Sequence, residues 1–460
     1  MEGSVTTRFS ETTKYCWIIF AGCCALNLTV ASMHAMLFGV YLLPTVVASG
    51  TDIVQASFAA TIGQWVFAGA GLIAGWLLTR VNNTQFKLLT IYSAIMLVGS
   101  QLWNSFIALN FFEGMTGLYI GAVINGLSAG ILPVMIPMIM IVSWFAPKWR
   151  GRFVGFAAVF SAVGAMIWPP VIAGIIQSVG LTQAYLFHGI VLLVFTFPTT
   201  IFLFKKRPEH ILPWGVKTWE ELRQQEADDV AKYGYPAKKV FFTMAMWLLL
   251  AAIAVATFHG GFTQNMPGAA SQWLTQAGDP DGAVRGAMVG ALMISCGAGG
   301  NLISKLLSGF IIDKWGPGIA SASFVFASML GMLVFIFVPT SDVSLYAGAF
   351  LLGCASPVMT VGMPMCVRMI FGDRTFPQIQ SYVGVIQMLV GGVATVGVAL
   401  ILTNFGGEYV SIYIFGTIIY FIGTIIFIFA NRFVGKYPWY DINGKLMPKV
   451  GEVPVQEPAA

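Results

Sequence analysis

Long apolar runs separated by short polar stretches fill most of the chain, at 16–44, 53–78, 88–109, 115–145, 153–177, 184–204, 240–265, 287–312, 319–338, 344–370, 378–402 and 409–430. A helix needs about 20 apolar residues to cross a bilayer core, and each of the twelve runs reaches that scale. The pattern predicts an all-α membrane protein of twelve transmembrane helices. The longest polar interruption leaves six runs on either side, giving a six-helix half at 1–204, a linker at 205–239, a second six-helix half at 240–430 and a tail at 431–460. Local repeats support two pseudo-symmetric halves. Gly75-Trp-Leu-Leu-Thr-Arg80 leaves the second run and Gly309-Phe-Ile-Ile-Asp-Lys314 leaves the eighth, while Trp144-Phe145 ends the fourth and Ile370-Phe371 ends the tenth.

Within the linker, Thr218-Trp-Glu-Glu221 has the spacing of a capping box and precedes a helix-permissive stretch through Lys232, stopped by Gly234 and Pro236. A short surface helix is expected there, serving as a gate, a partner site or a solvated linker. The tail from Asn431 carries four prolines and no apolar periodicity, so it reads as disordered. Gly71 and Gly75, Gly117 and Gly121, and Gly126 and Gly130 are spaced for close helix packing. Glycine and proline also gather in Trp168-Pro-Pro170 and Gly353-Cys-Ala-Ser-Pro357, where helices bend or flex.

Composition agrees with membrane residence: 57% of residues are hydrophobic, 9% are charged and the mean hydropathy is +0.80. Lys and Arg near span ends stay cytoplasmic. With the amino terminus inside, the outer loops hold Asp52, Glu113, Asp279, Asp281, Asp342 and Glu408 against one basic residue, Arg285. The net charge of +5 therefore reports topology, and no nucleic-acid surface is implied. The first run is too long for a signal-peptide core and should be retained. A multi-pass protein of the cytoplasmic (inner) membrane, with both termini cytoplasmic and functioning as a monomer, is the expectation. Cys16, Cys23, Cys24, Cys296, Cys354 and Cys366 lie in or beside spans without metal spacing and read as small buried hydrophobes.

One charge stands well inside a span. Lys305 is the only charged residue between Ala287 and Ile312, and a cation at such depth costs about 2.5–3.5 kcal/mol on insertion scales. It either meets a partner, water or substrate, or snorkels about 10 Å to the headgroups. Helical spacing puts Asn301 and Lys305 on one face, as it does Asn27 with His34, and Gln380, Gly384 and Gln387 with Gly391. If these faces line the cleft between halves, amides surround one cation. His34, Asn301 and Gln387 also have bland readings as interior hydrogen-bonders, and His188 and His259 read as packing or interfacial residues. Trp168 is a pocket wall or a lipid-side anchor.

The loop signatures resemble the major facilitator superfamily over nearly the whole chain. Gly309, Asp313, Lys314 and Gly316 keep its loop motif, whereas the first copy has Thr79 in place of the acid and Asn82 in place of the glycine. The resemblance implies a gating role for Gly309, Asp313, Lys314 and Arg150. Lys14-Tyr-Cys-Trp17, Trp144-Phe145 with Arg150-Gly151, Lys206-Arg-Pro-Glu209 with Leu212-Pro213 and Gly215, and Pro364 with Phe371-Gly372 are similar to the branch of monocarboxylate transporters and oxalate:formate antiporters. That branch carries a substrate-binding arginine eight residues before the loop aspartate, which here is Lys305. It implies substrate-facing roles for His34, Ser356 and Thr360 as well. The dicarboxylate carriers have a second cation in the eleventh span, where this chain reads Tyr382-Val-Gly-Val-Ile-Gln387. One cation suits a monoanion, with Lys305, Asn301, His34, Asn27, Gln387, Ser356, Thr360 and Trp168 as candidate contacts.

No Asp or Glu stands well inside a span, which weighs against carboxylate-driven proton symport and cationic-drug export. Anion exchange, uniport or proton coupling through Lys305 or His34 are left open. No nucleophile elbow, phosphate loop or zinc motif occurs, so neither an enzyme nor a cofactor is expected. A neutral or zwitterionic metabolite or a drug is the alternative cargo. A transporter-like sensor would need an appended signalling domain, for which the linker and tail are short.

Overall fold

The chain folds as helices that run back and forth across one layer, with no strand among the described residues. The structure, a computed structural model, describes residues 3–441, 444 and 446 except 79, 133, 134, 206, 209, 210, 230–232 and 340. Thr79, Lys206, Glu209, Lys232 and the tail beyond 446 thus lie outside the described residues. Eleven helices there are long and apolar enough to cross a membrane. The fourth expected span is broken into Thr116–Ala129 and Met135–Trp144, and so completes the set of twelve as two short pieces.

Two boundaries differ from the sequence expectation. The seventh span does not end at Asn265 but continues, after Met244–Thr257 and His259–Gln264, as Met266–Gln276. Gln264, Asn265 and Pro267 look like a loop, yet Asn265 Nδ2 donates to Gly261 O at 2.8 Å and keeps the backbone satisfied. Small residues let the eighth span cross it closely, since a Cβ on Gly290 would touch Pro267. The first span likewise runs past Pro44 through Phe38–Ser49. Of the two expected bends, Trp168-Pro-Pro170 lies inside an unbroken helix, Pro147–Val179, whereas the tenth span breaks after Asp342–Gly353 and turns through the π-helical Val358–Gly362.

The tail is the other correction. Residues Asn431 to Asp441 dock on the second half: Trp439 Nε1 donates to Ile370 O at 3.1 Å, and Gly234 and Tyr440 exchange backbone bonds at 3.0 Å. Its aromatic residues Phe433, Tyr437, Trp439 and Tyr440 supply the docking surface that proline content alone concealed. The linker helix forms as expected over Trp219–Asp229, with Thr218 Oγ1 accepting from Glu221 N–H at 3.1 Å. The glutamate reaches back one residue farther than a capping box requires, to Lys217 N–H at 2.8 Å. All six cysteines are free thiols, and only Cys296 is not fully buried.

The halves meet along the second and eleventh spans and along the fifth and eighth. Thr61 Oγ1 donates to Gly392 O at 2.7 Å, Trp65 Nε1 to Leu389 O at 3.1 Å, and Gln177 Nε2 to Val284 O at 2.8 Å. These bonds lie in the portions of the helices remote from the linker. The first and seventh spans also close there, because Gly39 allows backbone approach: a Cβ on it would stand 2.7 Å from Gln264 O. Toward the linker, Gly155 on the fifth span and Gly309 on the eighth have open space where a Cβ would be.

Candidate functional site

A small cavity lies where the first, seventh, eighth and tenth spans converge. Met36, His259, Thr263, Asn301 and Ser356 line it, and its volume of about 10 Å³ is barely enough for one water. The eighth and tenth spans cross so closely that a Cβ on either Gly300 or Gly353 would overlap the opposing backbone. That crossing carries Asn301 and Ser356 to one cavity wall. On the opposite wall Thr263 Oγ1 donates to His259 O at 2.9 Å and stands 3.5 Å from His259 Nε2.

Two buried atoms here lack any partner, His259 Nδ1 and Asn301 Oδ1. Gln264 Oε1 and Asn265 Oδ1, just along the seventh span, share that condition. Burying an unpaired polar atom costs about 1–3 kcal/mol, so these groups are poised to accept or donate to something polar that enters. Sequence alone does not single out His259 and Thr263 as site residues, because the apolar pattern ends the seventh span at 265 and places them near its end. The signal was present: His259, Thr263, Gln264 and Asn265 form a polar cluster that becomes mid-span once Met266–Gln276 is counted.

Lys305 follows Asn301 by one turn, about 6 Å along the helix axis toward the linker side. It is half-buried and has no hydrogen bond or ion pair from its ammonium to the described residues. The ion pairs found among them, Arg285 with Asp279 and Asp342 and Arg368 with Asp373, sit at span ends. Other candidates scatter. His34 stacks on Phe67 at 5.6 Å inside the first half. Asn27 Nδ2 turns back to Cys23 O at 2.9 Å. Trp168 Nε1 donates at 2.8 Å to Leu28 O, a carbonyl of the π-turn Asn27–Ala31. That bond makes Trp168 a staple between the first and fifth spans, not a lipid anchor. Gln387 is half-buried and Thr360 exposed, and neither lines the cavity.

Among the gating candidates, Asp313 is exposed without an ion pair to a described residue, and Lys314 lies 4.7 Å over the Trp315 ring. Gly309 faces open space, and Arg150 Nε donates to Phe145 O at 3.1 Å. No group of three or more His, Cys, Asp or Glu with metal-binding geometry occurs among the described residues.

The sequence profile of the Major Facilitator Superfamily matches residues 24–345. The chain belongs to the Major Facilitator Superfamily. Members of this superfamily are transporters, not enzymes. Solved structures repeat the fold at low sequence identity. The nucleoside transporter NupG aligns over 90% of this chain and 99% of its own at 13% identity and a TM-score of 0.63. A peptide transporter POT in complex with sulfate aligns over 92% and 96% at 15% identity and 0.62. A bacterial homologue of the human lysosomal transporter Spinster, in an inward-facing and occupied conformation, aligns over 92% and 98% at 15% identity and 0.59. No curated protein sequence matches the chain significantly. As a superfamily member it is a transporter of a small molecule across a membrane.

Proposed function

We propose that this transporter carries a small organic monoanion, a monocarboxylate in the simplest case, by anion exchange or proton-linked transport. The observation that carries the proposal is Lys305, half-buried one turn from the cavity and without a partner among the described residues. A lone cation inside the bundle is costly; a carboxylate removes that cost, while Asn301, Ser356 and His259 offer hydrogen bonds to the rest of the solute. An empty site with Lys305 uncompensated disfavours interconversion, which favours exchange. Lysine meets a carboxylate as a point charge without the bidentate geometry of arginine, so hydrogen bonds from neighbouring groups set the orientation. The Lys and Arg distribution supports cytoplasmic termini in a cell membrane, with the linker side facing the cytoplasm.

A second reading, a neutral or zwitterionic solute, is favoured by the uncharged lining of the cavity itself. Liposomes loaded with unlabelled carboxylates separate the two. Uptake of labelled monocarboxylate should fall about 10- to 100-fold in Lys305→Gln, the equivalent of losing a hydrogen bond to a charged group at roughly 1.5–3 kcal/mol; a requirement for internal anion marks exchange, and stimulation by an inward proton gradient without it marks proton-linked transport. Uptake of uncharged solutes that ignores the substitution would reject the anion reading.

A further inference from the structure

The linker side of the second half holds a cavity of about 500 Å³, separate from the central one. Its volume falls in the range of small-molecule sites, roughly 300–1,000 Å³. Three segments remote in sequence build it: Tyr235 and Lys239 from the linker's end, Arg374 from the turn after the tenth span, and Tyr437, Tyr440 and Asp441 from the tail. Backbone bonds hold these walls in register. Tyr235 N–H donates to Phe371 O at 2.6 Å, Arg374 N–H to Tyr233 O at 3.1 Å, and Gly234 pairs with Tyr440.

The chemistry of the wall selects an anion. Arg374 is part of the wall, and a guanidinium has N–H donors and no acceptor, so what it meets there must be an acceptor. Lys239 adds a second cation, and three phenol groups can donate to oxygen. A planar fork, a point charge and hydroxyl donors together suit a tetrahedral oxyanion. Asp441 on the same wall limits the positive charge, which fits a ligand of one or two negative charges better than a polyanion. Location adds to this. Lys239 is followed by Phe242, Met244 and Trp247, which are 89%, 66% and 61% exposed at the start of the seventh span, so the cavity stands at the edge of the apolar layer.

We infer that this cavity binds a phosphate group, carried by a free phosphate compound or by a membrane-lipid headgroup, with Arg374 and Lys239 on its oxygens. At the matching place of the first half, Trp214 packs on Phe145 and Trp149. Counting on from Trp144-Phe145 and Ile370-Phe371, Arg374 corresponds to Lys148, which is exposed. The inference is independent of Lys305.

Full-length protein, native and as Arg374→Gln, Lys239→Gln and Lys148→Gln, is titrated with inorganic phosphate by calorimetry in detergent. It is also recovered from nanodiscs containing phosphatidylglycerol for native mass spectrometry. Phosphate binding weakened at least about tenfold in the first two variants and unchanged in the third would establish a soluble ligand. Lipid retained by native protein and lost from both variants, without phosphate binding, would establish the headgroup. Lys239 is exposed, so its variant keeps the test valid should Arg374→Gln fail to fold. Native protein and Lys239→Gln behaving alike in both arms would overturn the inference.

Discussion

The fourth and tenth spans end in matching sequence, yet the two ends are finished differently. At the first, Trp214 of the linker docks on Trp144-Phe145, with its N–H donating to Trp144 O and its carbonyl accepting from Ala146 N–H, both at 2.8 Å. Its ring meets those of Trp17, Phe145, Trp149 and Phe153 at 5.5–5.8 Å. At the second, Tyr235 docks on Phe371 and the tail adds Tyr437, but the rings leave the 500 Å³ cavity with Arg374 and Lys239 on its wall. The repeat thus decides where passing chain docks on a span end. Side chains decide whether that place becomes solid packing or a polar cavity. The linker uses both ends, so it joins the halves through one solidly packed contact and one beside an open cavity.

Removing the central ring from each end is the strongest way to break this contrast. Phe145 and Phe371 are both fully buried, but Phe145 meets the rings of Trp17, Phe20, Phe153 and Trp214, whereas Phe371 meets those of Tyr235 and Tyr437. Phe145→Ala should cost about 3–5 kcal/mol. Phe371→Ala should cost about 1–2 kcal/mol less, because aromatic pairs contribute roughly 0.5–1.5 kcal/mol each beyond area. Thermal unfolding in detergent compares the two. Equal losses would mean that the ends are energetically alike and that the distinction between solid packing and open cavity has no thermodynamic content.

Much of this architecture was legible because hydropathy is a strong signal in a bilayer: the spans, the linker helix and the repeat all follow from short-range pattern. What failed to show was where polar residues lie inside protein. Gln264, Asn265 and Pro267 resemble a loop until the eighth span's Gly286 and Gly290 pack against Ser271 and Pro267 and shelter them. The tail reads as disordered until its aromatics find Ile370 and Gly234, contacts separated by 69 and 206 positions in sequence. The site was legible in part. Asn301 and Ser356 meet at one cavity with Lys305 a turn away, whereas His34 and Trp168 are taken up by Phe67 and Leu28. Spacing along one helix identifies a face, but only the crossing of two helices decides which neighbour that face receives.

A smaller effect sharpens the comparison at the backbone. Gly372 corresponds to Ala146, which has φ of −63°, but Gly372 has φ of +85° and a Cβ on it would stand 2.8 Å from Gly234 Cα. The left-handed conformation alone costs a non-glycine residue about 1–2 kcal/mol. Gly372→Ala should therefore lower stability by about 2 kcal/mol and loosen the linker segment that walls the cavity, while Ala146→Gly, which loses one buried methyl at a helix N-cap where glycine is tolerated, should cost less than about 1 kcal/mol. Melting curves with proteolysis near Tyr233 would read both effects. A Gly372→Ala protein as stable and as resistant as native would show that the turn is free to reorganise.

On the side remote from the linker, the halves differ in charge pairing, and here the expected effect is smallest. Arg285 bridges Asp279 and Asp342 at 2.6 Å each, whereas Asp52 in the first half accepts from Gln55 N–H at 2.7 Å and has no ion pair among the described residues. The hydrogen bond from Arg285, helped by the Asp281 N–H, holds the Asp279 carboxyl below its ordinary pKa. A depressed carboxyl pKa stabilises the fold above the unfolded value, about 3.9 for Asp, and that contribution disappears as pH falls through the folded value. Asp279→Asn should thus melt slightly below native protein at about pH 6, with the gap closing toward about pH 3. High salt should narrow it at any pH, since the pair is exposed and the screening length falls to about 3 Å at 1 M. A gap independent of both pH and salt would assign the effect of Asp279 to the turn it caps instead of to Arg285.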